Sequence, residues 1–358
     1  MSRNIKIIMF YSSAAALLLF VAFSALQRAG RARDERLDWE AISRILDTRG
    51  YQQAIGVIDQ RLAGHPKDSL LLYYKARVYY SAGFAREALE QADLAIKLGY
   101  AQEISHLLKA LVYGRLNSDF AKQKELASKA LTYDPAYDEA YIIRAEAEFM
   151  LGEFKACAAD AASYTRMRPK DSWGYETSLL CREALKDYAG AEKAGLKALE
   201  LKPKNHAAYW RLGLVYAGQG LHKKAIKNYS EAIRASGGRP QYFLARARSC
   251  EAAGDFSCAA WDYYSAMDWR EVSGYASYYY LLGSGMHRIN ELKYALNAAE
   301  AAVKLDPTDP DYYELRGRVY AEKGEAAAAK KDLLKASSLS PAGRPEADRL
   351  LAELKNKK

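Results

Sequence analysis

HAAYWRLGLVYAGQGLHKKAIKNYSEAIRASGGR, residues 206–239, reads as two amphipathic helices around a break. With His206 as unit position 1, Tyr209, Leu212, Gly213 and Tyr216 fall at positions 4, 7, 8 and 11, and Ala225, Tyr229 and Ala232 at 20, 24 and 27. Apolar spacings of three and four predict a helix on each side, and Gly218–Gln219–Gly220 interrupts them. Small residues at positions 8, 20 and 27 leave room for two antiparallel helix backbones to approach closely.

The same register returns along the chain. The ninth unit, from Pro310, has Tyr313, Gly317, Tyr320, Gly324, Ala329, Ala336 and Pro341 in place; the eighth, from Ala276, has Tyr279, Gly283, Ala295, Ala302 and Pro307. Pro66, Pro135, Pro169 and Pro203 keep the same clock, and a fixed period of about 34 residues marks a stacked repeat architecture. Proline at position 32 ends the second helix of a unit. About nine units account for residues 35–68, 69–103, 104–137, 138–171, 172–205, 206–239, 240–275, 276–309 and 310–341. Residues 342–358 read as an amphipathic capping helix with a lysine-rich tail, the device that closes the exposed end of such an array.

The combination Gly/Ala 8, Ala 20, Ala 27, Pro 32 resembles the tetratricopeptide repeat. That resemblance implies an all-α, right-handed superhelical solenoid of helix pairs, the first helix of each pair lining a concave groove. Positions 2, 5, 9, 12 and 13 then face the groove, opposite the packing stripe. Trp39, Tyr73, Trp210 and Tyr280 stand at position 5, Tyr80 and Phe149 at position 12, and Trp173 at position 2. Aligned exposed aromatics predict a groove for a partner peptide or helix. Around Trp210, the small residues Ala207, Ala217 and Gly218 predict a shallow apolar pocket. Chaperone-binding members clamp a carboxylate with Lys at position 5 and Asn at position 9; neither occurs here, so that clamp is missing.

Other chemistry has little footing. The five histidines form no HxxxH or HExxH pair, and no GxxxxGK, GxGxxG or GxSxG element occurs. Neither catalytic residues nor a metal site nor a cofactor is expected. Asp306, Asp309 and Asp311 look like a carboxylate cluster, but Asp before Pro is turn and cap chemistry. Four cysteines without a CxxC pair exclude an ordinary zinc site. Cys250 and Cys258, on facing helices at positions 11 and 19, are the candidate disulfide if the domain meets an oxidising compartment.

The net charge of +9 over 358 residues permits an alternative reading, a basic helical-repeat protein that binds RNA. Lysines and arginines are spread through every unit, however, which describes a solvated surface better than a nucleic-acid track.

Residues 1–34 carry a further expectation. Ile7–Leu26 is an uncharged run of 20 residues, about 30 Å as a helix and long enough for a hydrocarbon core. It predicts a single-pass anchor with the repeats on the extracytoplasmic side. A cytoplasmic-facing domain and a secreted form cleaved after Ala22–Phe23–Ser24 are the alternatives. The expected whole is a membrane-tethered interaction scaffold of a cell-envelope complex, without enzymatic activity.

Overall fold

The structure is a computed structural model describing residues 32–267, 274–340 and 343–356. The run Ile7–Leu26 and the terminal Lys357 and Lys358 lie outside the described residues. Among the described residues no helix is long and apolar enough to cross a membrane. The single-pass localisation expected from the sequence is therefore withdrawn, and with it any choice of side.

Nineteen α-helices and no strand occupy the described residues. They divide into two compact units between Asp187 and Tyr188. The first unit holds α1 (Ala32–Arg49), α2 (Tyr51–Gly64), α3 (Ser69–Ser81), α4 (Ala85–Lys97), α5 (Gln102–Arg115), α6 (Phe120–Tyr133), α7 (Asp138–Leu151), α8 (Phe154–Met167) and α9 (Ser172–Ala184). The second holds α10 (Tyr188–Leu201), α11 (His206–Gly218), α12 (His222–Ser236), α13 (Pro240–Ala252), α14 (Phe256–Met267), α15 (Ala276–Arg288), α16 (Leu292–Leu305), α17 (Pro310–Glu322), α18 (Ala326–Leu339) and α19 (Pro345–Asn356).

Within each unit the helices pack as successive pairs. First helices also touch the first helix of the next pair, α3 with α5, α5 with α7, α7 with α9, α11 with α13 and α15 with α17. This builds an inner layer of first helices and an outer layer of second helices, an arrangement consistent with a tetratricopeptide solenoid. Caps set the starts of the first helices. Asp68 accepts from the N–H groups of Leu70 and Leu71, Asn205 from Ala207 and Ala208, and Asp309 from Asp311, each satisfying donors that the helix itself cannot.

The small positions act as their spacing predicts. Ala225, Ala232, Ala295, Ala302, Ala329 and Ala336 are fully buried. A Cβ on Gly213 would lie 2.3 Å from the Tyr229 ring, and one on Gly317 would lie 2.9 Å from Leu333. Position 8 is empty because the facing second helix fills it. At the far end of the second unit, α19 lies on α18 and buries Ala347, while Arg344 pairs with Asp311 at 2.5 Å and Glu314 at 2.6 Å.

One repeating feature escaped the hydrophobic pattern. Arg144, Arg246 and Arg316 stand at position 7 of their repeats, where Leu212 is apolar. Each reaches Asp160, Asp262 or Asp332 at position 23 with two parallel bonds of 2.6–2.9 Å. The remaining donor of Arg246 reaches back 2.8 Å to Ser230 of the preceding pair. The three aspartates are buried, so these forks pin first helix to second inside the wall.

Candidate functional site

The inner layer gathers the aromatic residues that the sequence assigned to a groove, but it closes over most of them. Trp39 is 7% exposed, Tyr73 4%, Tyr80 5% and Trp210 7%. The expectation of open rings at these positions is corrected. The cause is the offset between successive repeats, which lays a group of the next repeat or its leading loop across each position-5 ring. The Arg77 guanidinium sits 3.4 Å from the centre of the Trp39 ring. Tyr100 stacks on Tyr73 with centroids 4.8 Å apart, Tyr242 leans on Trp210 at 5.5 Å, and Tyr312 on Tyr280 at 5.5 Å. Beside the small residues near Trp210, the Tyr188 hydroxyl stands 2.8 Å from where a Cβ on Gly218 would be, so a tyrosine fills the space at that position.

Phe149, Trp173 and Tyr280 remain half-buried. Phe149 leans on Phe154. Trp173 stands edge-on to Tyr164 at 5.8 Å, and the Tyr164 hydroxyl donates to Asp171 at 2.6 Å. Asp171 in turn caps α9 through the Trp173 N–H. The Trp173 indole is thus held by a ring that is itself locked in place.

Charged groups missed by the sequence reading lie beside these rings in the first unit. Asp138 and Glu139, both fully buried, share the Arg168 guanidinium, which bonds Asp138 directly and lies 3.7 Å from Glu139. Burial and the neighbouring Asp138 carboxylate push the Glu139 carboxyl up to about 9, so it keeps its proton at neutral pH. Burial likewise lowers Arg77 and raises Tyr137 well above its usual range. The Tyr137 hydroxyl and the Trp210 indole N–H are buried and make no hydrogen bond among the described residues. Position 9 was the sequence signal for Arg77; nothing in the hydrophobic pattern marks Tyr137 or Glu139.

The cysteines pair twice. Cys250 joins Cys258, and Cys157 on α8 joins Cys181 on α9; each pair has Cα atoms 5.9 Å apart, within the usual disulfide span. Cys157 and Cys181 fall at position 20 of one repeat and position 10 of the next, on adjacent helices. Cys250, Cys258 and Asp262 also gather three ligand-type atoms within 4.8 Å. Both Asp262 oxygens are committed to Arg246, so the trio does not offer a free carboxylate to a metal.

Residues 180–240 and 290–343 match the family described as tetratricopeptide repeat. No curated protein sequence shows a significant match. Among solved structures, a monomeric mutant of IFIT1 with m7Gppp-AAAA aligns over 87% of this chain and 72% of its own, at 15% identity and a TM-score of 0.50. YrrB, a tetratricopeptide protein with an unusual peptide-binding site, aligns over 56% of this chain and 99% of its own, at 21% identity and a TM-score of 0.49. The pilF protein of Pseudomonas aeruginosa aligns over 57% of this chain and 93% of its own, at 15% identity and a TM-score of 0.49. At such identities the likeness speaks to fold alone. The family match is thus confined to these two segments, and the helix-pair architecture within each unit is consistent with the same repeat.

Proposed function

We propose that the chain is a protein-interaction scaffold that binds a partner peptide or helix on the inner layer of its repeats, with no catalytic step of its own. Repeat solenoids of this kind offer an extended surface built from successive first helices. The observation that carries the reading is Trp173. It is a half-buried indole on the inner layer, held by Tyr164 and Asp171. Large aromatics fixed before binding lose little entropy on contact and dominate interface energies. Phe149 supplies a second such ring in the first unit, and Tyr280 one in the second. Trp39, Tyr73 and Tyr80 back the inner layer of the first unit, and Trp210 that of the second, rather than serving as contacts.

RNA binding draws support only from the net charge. Of the three position-9 arginines, Arg77 is buried under aromatic rings and Arg318 pairs with Glu314 at 3.0 Å, which leaves Arg248 as the exposed one. A photo-crosslinking amino acid in place of Trp173 tests the proposal, with Lys129, on the outer layer, as control. The inner position should capture a protein that the outer one does not, and Trp173→Ala should weaken that partner's binding by at least about tenfold. Equal capture from both positions, or capture of RNA alone, refutes it.

A further inference from the structure

The outer layer of the second unit carries a cluster that the inner-surface reading does not use. Trp261 and Tyr264 on α14 and Tyr294 on α16 are 43%, 41% and 37% exposed. Their rings meet edge to face, with centroids 5.6–6.0 Å apart. An exposed Trp with two Tyr rings locked against it is a preformed anchor of the kind found at interface centres.

The charges around it are unbalanced. Residues 188–358 hold 27 Lys and Arg against 20 Asp and Glu, so they carry +7 of the chain's +9. Repeat register sets Lys227, Trp261, Asn297 and Lys331 in one row at position 22 of successive outer helices. The shared bonds of Arg246 to Ser230 on α12 and Asp262 on α14 bring the Lys227 turn beside the Trp261 turn. Lys224, Lys227, Lys293, Lys330 and Lys331 are exposed and make no ion pair among the described residues. At the same register positions of two repeats in the first unit, Arg86 faces Glu90 and Lys122 faces Glu125 within ion-pair distance.

We infer that the outer face centred on Trp261, Tyr264 and Tyr294 docks an acidic protein segment, its carboxylates on the flanking lysines and an apolar or aromatic side chain against the rings. Two observations favour a peptide over a nucleic acid. The three rings meet at 68–85°, so neighbouring edges cover the faces that stacked bases would need. The arginine forks that would grip phosphate are already closed on Asp262 and Asp332.

The test uses the full chain and a labelled synthetic peptide of Asp and Glu around a central Phe. Its Asn/Gln analogue, an oligouridylate, and vesicles of phosphatidylglycerol and phosphatidylcholine serve as the other probes. The acidic peptide should bind saturably and weaken with added salt. Trp261→Ala should weaken it by at least about tenfold. Lys227→Glu with Lys331→Glu should do the same with an unchanged melting curve, which separates lost docking from lost folding. Equal binding of the Asn/Gln peptide, no saturable binding, or tighter binding of oligouridylate or vesicles that the same substitutions abolish would overturn the proposal.

Discussion

Removing the Asp262 carboxylate should cost the second unit far more than removing the whole ion pair. Asp262 is 3% exposed and accepts from Arg246 at 2.7 and 2.8 Å. Asp262→Ala leaves a guanidinium inside the wall with only Ser230 as partner. Breaking a buried pair in this way costs about 3–5 kcal/mol. The Arg246 side chain keeps 22% exposure, so water relieves part of that charge and about 3 kcal/mol is the better expectation. For a unit of this size, that is roughly 6–12 °C of melting temperature. The double change Arg246→Leu with Asp262→Leu removes both charges and fills the gap with hydrocarbon, which is often neutral or stabilising. Burial outweighs Arg246 in setting the Asp262 carboxyl, which ends above its usual range; desolvation is thus the larger effect at this site. Urea and thermal unfolding of Arg246→Leu, Asp262→Leu and the double would measure the coupling. If Asp262→Ala costs under about 1 kcal/mol, or the double is as unstable as the singles added together, the fork is not a buried interaction and the argument fails. Asp160→Ala and Asp332→Ala should repeat the result, because the geometry repeats.

The remaining expectations are simpler to read. Trp210→Ala should destabilise by about 3 kcal/mol as a buried large-to-small change, whereas Trp210→Phe, which removes an N–H that has no partner, should cost under about 1 kcal/mol; equal losses in urea titrations would contradict the burial. Gly213→Ala should cost about 2 kcal/mol because the new methyl meets the Tyr229 ring, and a neutral result would mean the helices part freely there. Glu139 and Glu148 are pushed up to about 9 and about 7 by burial. The folded state therefore keeps protons that the unfolded chain releases above its ordinary carboxylate range, so stability of the first unit should fall as pH rises from about 4.5 towards 9. Glu139→Gln should flatten that slope in melts across the window; a slope of the opposite sign would refute the assignment.

What the sequence conveyed and what it withheld follow from the range of the forces involved. Helix pairs, breaks and close-packed positions are local: Gly213 is small because Tyr229 lies about 16 residues on, within one turn of the repeat clock. The covering of Trp39 by Arg77, and of Trp210 by Tyr242, depends on the offset between neighbouring repeats. That offset is set by side-chain packing summed along the wall, and no single spacing records it. The Arg–Asp forks lay between these cases. Arg at position 7 with Asp at position 23 appears in three units, but a search for apolar periodicity passes over charges at packing positions. Cys157 and Cys181 were hidden for the same reason as the rings, since their meeting requires the second helix of one repeat to lie beside the first helix of the next.

The closed inner rings change where binding energy can come from. Where position-5 aromatics are already stacked on their neighbours, the inner layer offers a partner the half-buried rings Phe149 and Trp173 in the first unit and Tyr280 in the second; the area of the stacked rings has been used in folding. Burying it twice is not available. The outer face of the second unit differs on both counts: its three rings keep more than a third of their surface open, and its lysines have no acids to lose before meeting new ones. Trp261, Tyr264 and Tyr294 thus combine open aromatic area with unpaired positive charge on one face. Losing binding at Trp261 while keeping it at Trp173, or the reverse, would therefore separate two partners rather than two halves of one site.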